Sequence, residues 1–568
     1  MNGADGGLGT SQPWLASYPA DVDWHAKIPV KPLHALLDEA VLRFADRCCV
    51  DFLDKRYSYR EIGALANRAA KGLQKLGVRR GTKVGLFLPN CPYSVIFYYA
   101  ILKAGGTVVN FNPLYAEREL VHQIQDSDTE IMVTLDLKAL CDKLLPLMAK
   151  TGLKQVIVCS MAAILPFPKN ILFPVAKRKE IARLAGTERT ITFDEVVAND
   201  GAVTPPAIDP ESEIALLQYT GGTTGVPKGA MLTHANVVAN AVQLRLWAPG
   251  LGGEHEKILG VLPLFHVFAM TVVMNHGLLL GAEMILLPRY ELKQLLKTVD
   301  KKKPSMFVGV PTLYAAINNA KETHGIDLSS LKYCISGGAP LPLEVKHRFE
   351  RLAGCVLVEG YGLSETAPVA TCNPFLGENK EGSIGLPMPG TTVEIVAIDG
   401  SERVLPAGER GEVCIRGPQV MRGYWKKPEE SAKALKGGRF HSGDIGYIDA
   451  EGYIYIVDRL KEMILCAGYN VYPRNVEEAI YMHPSVAECA VIGIPDAVRG
   501  QTVKAFVVLR EGQTVTKEAL CEFLKDKLSP IEMPKQIEFR QSLPKTVIGK
   551  ILKKALVAEE EAKAPAAA

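Results

Sequence analysis

Residues 218–230, QYTGGTTGVPKGA, gather the groups that a polyphosphate needs. Gly221, Gly222 and Gly225 let the backbone fold tightly enough for successive N–H groups to point at one anion. The hydroxyls of Thr220, Thr223 and Thr224 add donors without bulk, and Lys228 supplies a point charge. Apolar residues 214–217 run into this loop as a buried strand, and residues 236–242 beyond it read as a helix. A Walker A loop requires Gly-Lys followed by Ser or Thr. Here Pro227 precedes Lys228 and Gly229 follows it, so a different kind of phosphate loop is expected.

Four other segments carry groups suited to the same kind of ligand. YGLSET (361–366) offers an aromatic plane that can stack on a base, and a carboxylate, Glu365, of the kind a hard cation takes beside phosphate oxygens. SGGAP (336–340) is glycine-rich at a strand end, where a ligand can approach the backbone. HSGDIG (441–446) presents Asp444, and Arg459 follows in VDRLKEMI. LPKTVIGKILKKAL, near the C-terminus, carries Lys550. Singly, each has an ordinary reading: Glu365 as a first-turn acid, Gly443-Asp444 as a turn, Lys550 as one of four lysines in a basic amphipathic stretch.

Taken in order along nearly the whole chain, these segments resemble the acyl-adenylate-forming superfamily. PLFHVFAM, CISGGAPLP, EGYGLSET, GSIG and CAGYNVYP most closely resemble bacterial long-chain fatty acid CoA ligases. The resemblance implies a two-step reaction using ATP, Mg2+ and CoA, in which a fatty acid becomes an acyl-adenylate and then a thioester. It assigns the nucleotide to Thr220–Gly225, Lys228, Gly338, Ala339, Glu359, Gly360, Tyr361, Gly362, Ser364, Asp444, Ile456, Arg459 and Lys550. Tyr361 would lie on the adenine and Asp444 would accept the ribose hydroxyls. Thr220 and Glu365 would hold the metal, and Lys550, Glu365, Thr220 and His266 would be catalytic. Ser364 and Ser442 stand where the family has Thr, and each keeps the hydroxyl. His266, Val267, Met270, Val310 and Gly337 would line the acyl pocket, Gly468 and Tyr469 the CoA channel, and Lys461 would be the hinge.

These groups need elements to position them, and 568 residues imply more than one core. Strand-like and helical stretches alternate from residue 83 to residue 159, which argues a largely parallel sheet covered on both faces. The expected fold is α/β: a large N-terminal domain of parallel α/β sheets with a β-rich subdomain (1–457), a hinge (458–461) and a small mobile α+β C-terminal domain (462–568). Its last residues, AEEEAKAPAAA, read as a frayed tail. A net charge of +3 without a Lys/Arg block interleaved with aromatics predicts no nucleic-acid partner. Twelve cysteines without C-x-x-C spacing read as reduced, buried thiols.

The N-terminus shows no basic region followed by an apolar one, so a cytoplasmic location is expected. Residues 258–282 contain no Asp, Glu, Lys or Arg, yet Pro263, His266, Asn275, His276 and Gly281 divide them into strand, loop, helix and strand. A buried core holding a pocket is therefore expected rather than a membrane span. The absence of a cation from 263–280 argues against amino-acid and dicarboxylate substrates, and leaves medium-chain and aryl acids open. Met270 fits either an acyl gate or an ordinary core. From Leu165 to Lys179, apolar residues and prolines adjoin basic ones, which suits either peripheral contact with the inner face of a membrane or a packed surface insertion. A membrane-associated fatty-acid binding or uptake protein is the reading of another class, and a homodimer is left open.

Overall fold

The computed structural model describes residues 12–182, 189–220, 227–251, 255–320, 323, 325–466, 469–496, 499–546 and 550–563. Alternating buried strands and helices build two mostly parallel sheets, as the sequence pattern predicts. In the seven-stranded sheet, Lys83–Leu86 and Thr107–Asn110 lie at the centre, and Ile214–Thr220 runs parallel to Thr107–Asn110. The nine-stranded sheet places Lys257–Gly260, Met306–Gly309, Tyr333–Ser336 and Val356–Gly362 side by side and parallel. Helix Pro92–Ala104, buried along its whole length, joins two strands of the first sheet. It reaches the second layer through the Tyr99 hydroxyl, which donates to Asn275 Oδ1 at 2.5 Å. A helix apolar all round belongs in such an interior.

The uncharged stretch lies inside the molecule. Strand Lys257–Gly260 is followed by helical turns at Val267–Ala269, a π-helical turn at Met270–Asn275, helix His276–Leu280 and strand Glu283–Leu286. Charge is absent because these elements are buried on every side. No described helix is long and apolar enough to cross a membrane. The twelve cysteines are free thiols, nine of them buried.

Strands Thr392–Val396, Gly411–Arg416, Phe440–Ile448 and Ile454–Arg459 form an antiparallel four-stranded sheet. The last of them pairs Arg459 with Asp444, so residues 458 and 459 of the proposed hinge still belong to this sheet. The large core takes residues from Trp14 to Ile454, and separate small cores begin at Ile464. There, Gly500–Leu509 pairs with Val486–Asp496 and Gln536–Arg540, flanked by helices Pro473–Tyr481, Lys517–Leu524 and Lys553–Lys563.

Two expectations need correction. The phosphate loop does not pass directly from strand to helix: Lys228–Thr233 is itself a strand, antiparallel to Ile214–Thr220, and helix His234–Trp247 follows it. Thr233 caps that helix by accepting from Asn236 N, which explains why the helix begins only there. A frayed tail is expected from residue 558, but helix Lys553–Lys563 takes in its first six residues, and residues 564–568 lie outside the described residues. Glu560 is drawn onto the partly buried Lys504 at 2.7 Å and Glu559 onto Arg540 at 2.7 Å, contacts that a composition argument cannot see.

Strand Val356–Gly362 ends where the chain turns back on itself. A Cβ added at Gly362 would stand 2.0 Å from the carbonyl oxygen of Pro368, so only glycine fits. Gly362→Ala is expected to destabilise the protein by about 1–3 kcal/mol through overpacking, read as a lower urea midpoint at unchanged m-value.

Candidate active site

The site grows from two antiparallel pairings. In the first, Thr220 lies opposite Lys228 at the mouth of the phosphate loop. Lys228 pairs with Glu430, and its ammonium lies 5.1 Å from the ring centroid of Tyr424. The Tyr424 hydroxyl in turn donates to Glu365 Oε1 at 2.7 Å. Burial pushes the Glu365 carboxyl up, and the Tyr424 hydroxyl works against that by stabilising the anion. Residues 221–225, the centre of the expected loop, lie outside the described residues.

In the second pairing, Asp444 faces Arg459 across the antiparallel strands. Arg459 Nε lies 3.1 Å from Asp444 Oδ1 in an ion pair, and the Tyr361 hydroxyl donates to Asp444 Oδ2 at 2.6 Å. Strand Phe440–Ile448 bulges here: Glu412 and Cys414 are two residues apart on their own strand, yet pair with Ile445 and His441. Gly443 takes the positive φ of 72° that the bulge needs, and Asp444 is re-aimed by it. Ser442 Oγ donates to Val413 O at 2.6 Å and accepts from Asp444 N at 3.1 Å.

Lys550 comes to this cluster from the small domain. Desolvation, and then the Arg459 guanidinium, lower its ammonium to about 8, while Asp444 and Glu462 act in the opposite direction. His266 is lowered to about 4 by desolvation and then by Lys550, so its imidazole is neutral at pH 7. His266 Nδ1 accepts from Phe268 N at 3.3 Å, which leaves Nε2–H as the donor. The small domain is tied on beside the site: Arg474 N donates to Asp458 Oδ2 at 2.8 Å, and Arg474 Nη1 to Ile456 O at 2.6 Å. Lys553 pairs with Glu477 at 2.8 Å and Glu462 at 3.2 Å.

A family model described as AMP-binding enzyme matches residues 37–425. The chain belongs to the AMP-binding enzyme family. A second model, the AMP-binding enzyme C-terminal domain, matches residues 475–550. A long-chain-fatty-acid–CoA ligase of Bacillus subtilis is 45% identical over 97% of this chain and 98% of its own length. One from Escherichia coli O6:H1 is 38% identical over 97% and 98%. The crystal structure of ATP-bound MatB from Rhodopseudomonas palustris superimposes with a TM-score of 0.82 at 27% identity, covering 93% of this chain and 98% of that one.

In this AMP-binding enzyme, strand pairing, a ring contact and a hydrogen bond join Thr220, Lys228 and Glu365, and a hydrogen bond and an ion pair join Tyr361, Asp444 and Arg459. Glu365 and Lys550 lie in electrostatic reach of the second set, and His266 in reach of Lys550. Glu359 is buried and its carboxyl pushed up to about 7 by desolvation, with Leu341 N donating to it at 3.3 Å. Gly337 is buried under the Phe268 ring, which a Cβ would meet at 3.0 Å, and Val310 lies 3.7 Å from where a Cβ of Gly338 would be. Ala339, Gly360, Ser364 and Ile456 are partly buried on the same strand ends. Val267 and Met270 are buried, and the Met270 sulfur takes a contact from Asn110 Nδ2 at 3.6 Å. Lys461 is exposed in the turn after Arg459, and Gly468 lies outside the described residues. Tyr469 is exposed on the small domain, and among the described contacts none joins it to the group.

Sequence reading missed Tyr424, Glu430, Asp458, Glu462, Glu477 and Lys553. Tyr424 and Glu430 lie in a segment with no periodicity, and the four charged residues read as solvated side chains until folding brings Arg474 to Asp458 and Lys553 to Glu462 and Glu477. For Mg2+, the donor set fits: Glu365 keeps one carboxylate oxygen beyond Tyr424, and Thr220 adds a hydroxyl beside Lys228.

If Lys550 acts as an ammonium, kcat/KM of the ATP-dependent step should decline above about pH 8, because this ratio reports the free enzyme. The decline in kcat should come at higher pH, since bound anions favour the charged form. Lys550→Ala should remove this limb and slow the step by roughly 10²–10³-fold, measured by pyrophosphate release across a pH series.

Proposed function

We propose that this AMP-binding enzyme is a long-chain fatty acid–CoA ligase that forms its thioester through an acyl-adenylate, using ATP and releasing AMP and pyrophosphate. The observation that carries this reading is the position of Lys550. Its buried ammonium feels the charges of Arg459 and Asp444 and in turn lowers His266, which lies within the uncharged 258–282 stretch, so these groups share one electrostatic neighbourhood. A cation there can hold a carboxylate against an α-phosphate while the rest of an apolar acid enters a surface without charge. Two relatives whose names carry this activity, at 45% and 38% identity over nearly the full length, favour the same chemistry.

In the first step a carboxylate oxygen bonds to the α-phosphorus, and the bond from that phosphorus to the pyrophosphate oxygen breaks. Lys550 offsets the charge of the two approaching anions, and neutral His266 offers Nε2–H to the carboxyl group. Lys228 exchanges Glu430 for the departing phosphates, with Thr220 beside it. Glu365 and Thr220 would hold Mg2+, which when bound neutralises phosphate charge. Asp444 receives the ribose hydroxyls and Tyr361 lies against the base. In the second step the CoA sulfur bonds to the acyl carbon, the carbon–oxygen bond to AMP breaks, and the thiol proton passes to solvent. Lys461 as hinge, and Gly468 and Tyr469 as lining for CoA, belong to this step.

Incubation with Mg-ATP and short, long and aryl acids, with and without CoA, tests the reading by mass spectrometry. CoA-dependent thioester from long-chain acids is expected. Preference for aryl acids would move the enzyme to an aryl-CoA ligase, and no pyrophosphate release with any of the acids would return it to a binding protein.

We further propose that this enzyme contacts an anionic bilayer through helix Lys169–Ala176. No residue of this helix is buried, and Phe167, Ile171, Leu172 and Val175 are 79%, 61%, 58% and 78% exposed. Phe173 packs back on the core, so the apolar face opposite it meets solvent, next to exposed Lys177, Arg178 and Lys179. Ile171→Asp with Val175→Asp should reduce sedimentation with vesicles containing phosphatidylserine by roughly tenfold or more. Equal sedimentation with purely zwitterionic vesicles, or no loss in the variant, would overturn it.

A further inference from the structure

Beside the bulge that aims Asp444, a second set of donors converges. Glu412 and Cys414 lie two residues apart on strand Gly411–Arg416, and His441 pairs with Cys414 on the facing strand. His441 Nδ1 is 2.8 Å from Glu412 Oε2 and 3.4 Å from Cys414 Sγ. All three ligand atoms lie within 4.8 Å of one another. Among the described residues no other three His, Cys, Asp or Glu side chains meet so closely. The Glu412 carboxylate is itself oriented, since its Oε1 accepts from Gly443 N at 2.9 Å.

With a single proton on the imidazole, this cluster is poorly satisfied. A proton on Nδ1 can serve Glu412, which leaves the imidazole Nε2 as a bare acceptor. Nε2 faces Glu402 Oε2 at 3.4 Å, and both atoms are buried without a hydrogen-bond partner. A cation bound at Nδ1 removes the conflict. It fixes the tautomer with hydrogen on Nε2, and that hydrogen then points at Glu402, the carboxylate–histidine–metal arrangement that commonly supports a metal ligand.

We propose that Glu412 Oε2, Cys414 Sγ and His441 Nδ1 form a binding site for one zinc-class divalent cation, separate from the magnesium position at Glu365. Mixed sulfur, nitrogen and oxygen donors favour Zn2+ over Mg2+ or Ca2+. Tetrahedral ligands at zinc distances stand roughly 3.3–3.7 Å apart. The 3.4 Å sulfur–nitrogen spacing already fits, and the 2.8 Å nitrogen–oxygen spacing opens by about half an ångström to reach that range. The fourth position goes to water. Binding releases the Cys414 thiol proton to solvent, and the sulfur–metal bond replaces the S–H bond. The occupied site would clamp the two strands at the foot of the bulge that presents Asp444.

The test uses the full-length protein, reduced and stripped by chelator, titrated with Co2+ and then with Zn2+ in competition with a chromogenic chelator. One equivalent of Co2+ should give a thiolate-to-cobalt charge-transfer band and tetrahedral visible bands, and Zn2+ should abolish both. Cys414→Ser and His441→Asn should lose the charge-transfer band or weaken Zn2+ binding by roughly 100-fold, and Glu402→Gln should weaken it by roughly tenfold. Cys521→Ser, remote from the cluster, should leave the band unchanged. Zn2+ should raise the melting temperature of the native chain and not that of Cys414→Ser, and urea unfolding without metal checks that each variant folds, with Cys414→Ala as a second form. No band at one equivalent in folded, reduced protein would overturn the proposal and leave a protonated His441 bridging Glu402 and Glu412. The same band in Cys414→Ser would overturn it too.

Discussion

The placement of one cation against another organises this protein. Burial lowers the Lys550 ammonium and the Arg459 guanidinium lowers it further, while Arg459 itself is held in its charged form chiefly by Asp444. Asp444 and Glu462 offset part of the lowering at Lys550. Such an arrangement favours the arrival of anions, which is what the proposed adenylation would bring to it. Because Lys550 belongs to the small domain and Arg459 to the large one, this positive centre exists only while the domains are docked as here. Arg474, bonded to Asp458 and Ile456, and the Arg510–Glu344 ion pair at 3.6 Å cross between them.

From that centre a chain of polar contacts runs through the large domain. Arg459 holds Asp444, Asp444 accepts from Tyr361, and the 361–366 turn carries Glu365 to Tyr424, whose ring faces Lys228. Each link crosses between elements distant in sequence, so the nucleotide surface is fixed by the packing of three sheets rather than by any one loop. Glu430 gives Lys228 a partner in the absence of phosphate, and a phosphate then exchanges one anion for another.

The apolar side of the site follows from the same packing. Helix Pro92–Ala104 and the 267–280 turns fill the space between the two large sheets. The π-helical turn at Met270–Asn275 gives that wall an irregular surface beside His266. Apolar side chains are placed in two ways: the exposed 169–176 helix presents them outward, and the 258–282 interior keeps them inward.

Much of this was legible in the sequence because it is local. Period-two and period-3.6 patterns reveal strands and helices such as Gln155–Cys159 and Tyr59–Lys75, and glycine-rich turns with one hydroxyl, carboxylate or lysine at fixed spacing reveal Thr220, Lys228, Glu365, Asp444 and Lys550. The structure alone decided what depends on distant partners. Lys228 became a strand residue because it pairs with Thr220, and residues 558–563 became helical because Glu559 and Glu560 found Arg540 and Lys504. Tyr424, Glu430, Glu462 and Lys553 carry no signal of their own, since a charged or hydroxyl side chain on a surface-like segment gains a role only when another element brings a partner within hydrogen-bond reach. Residue type determines which chemistry is available, and three-dimensional proximity determines which of it is used, because electrostatic and hydrogen-bond energies fall off within a few ångströms while sequence separation here runs to hundreds of residues.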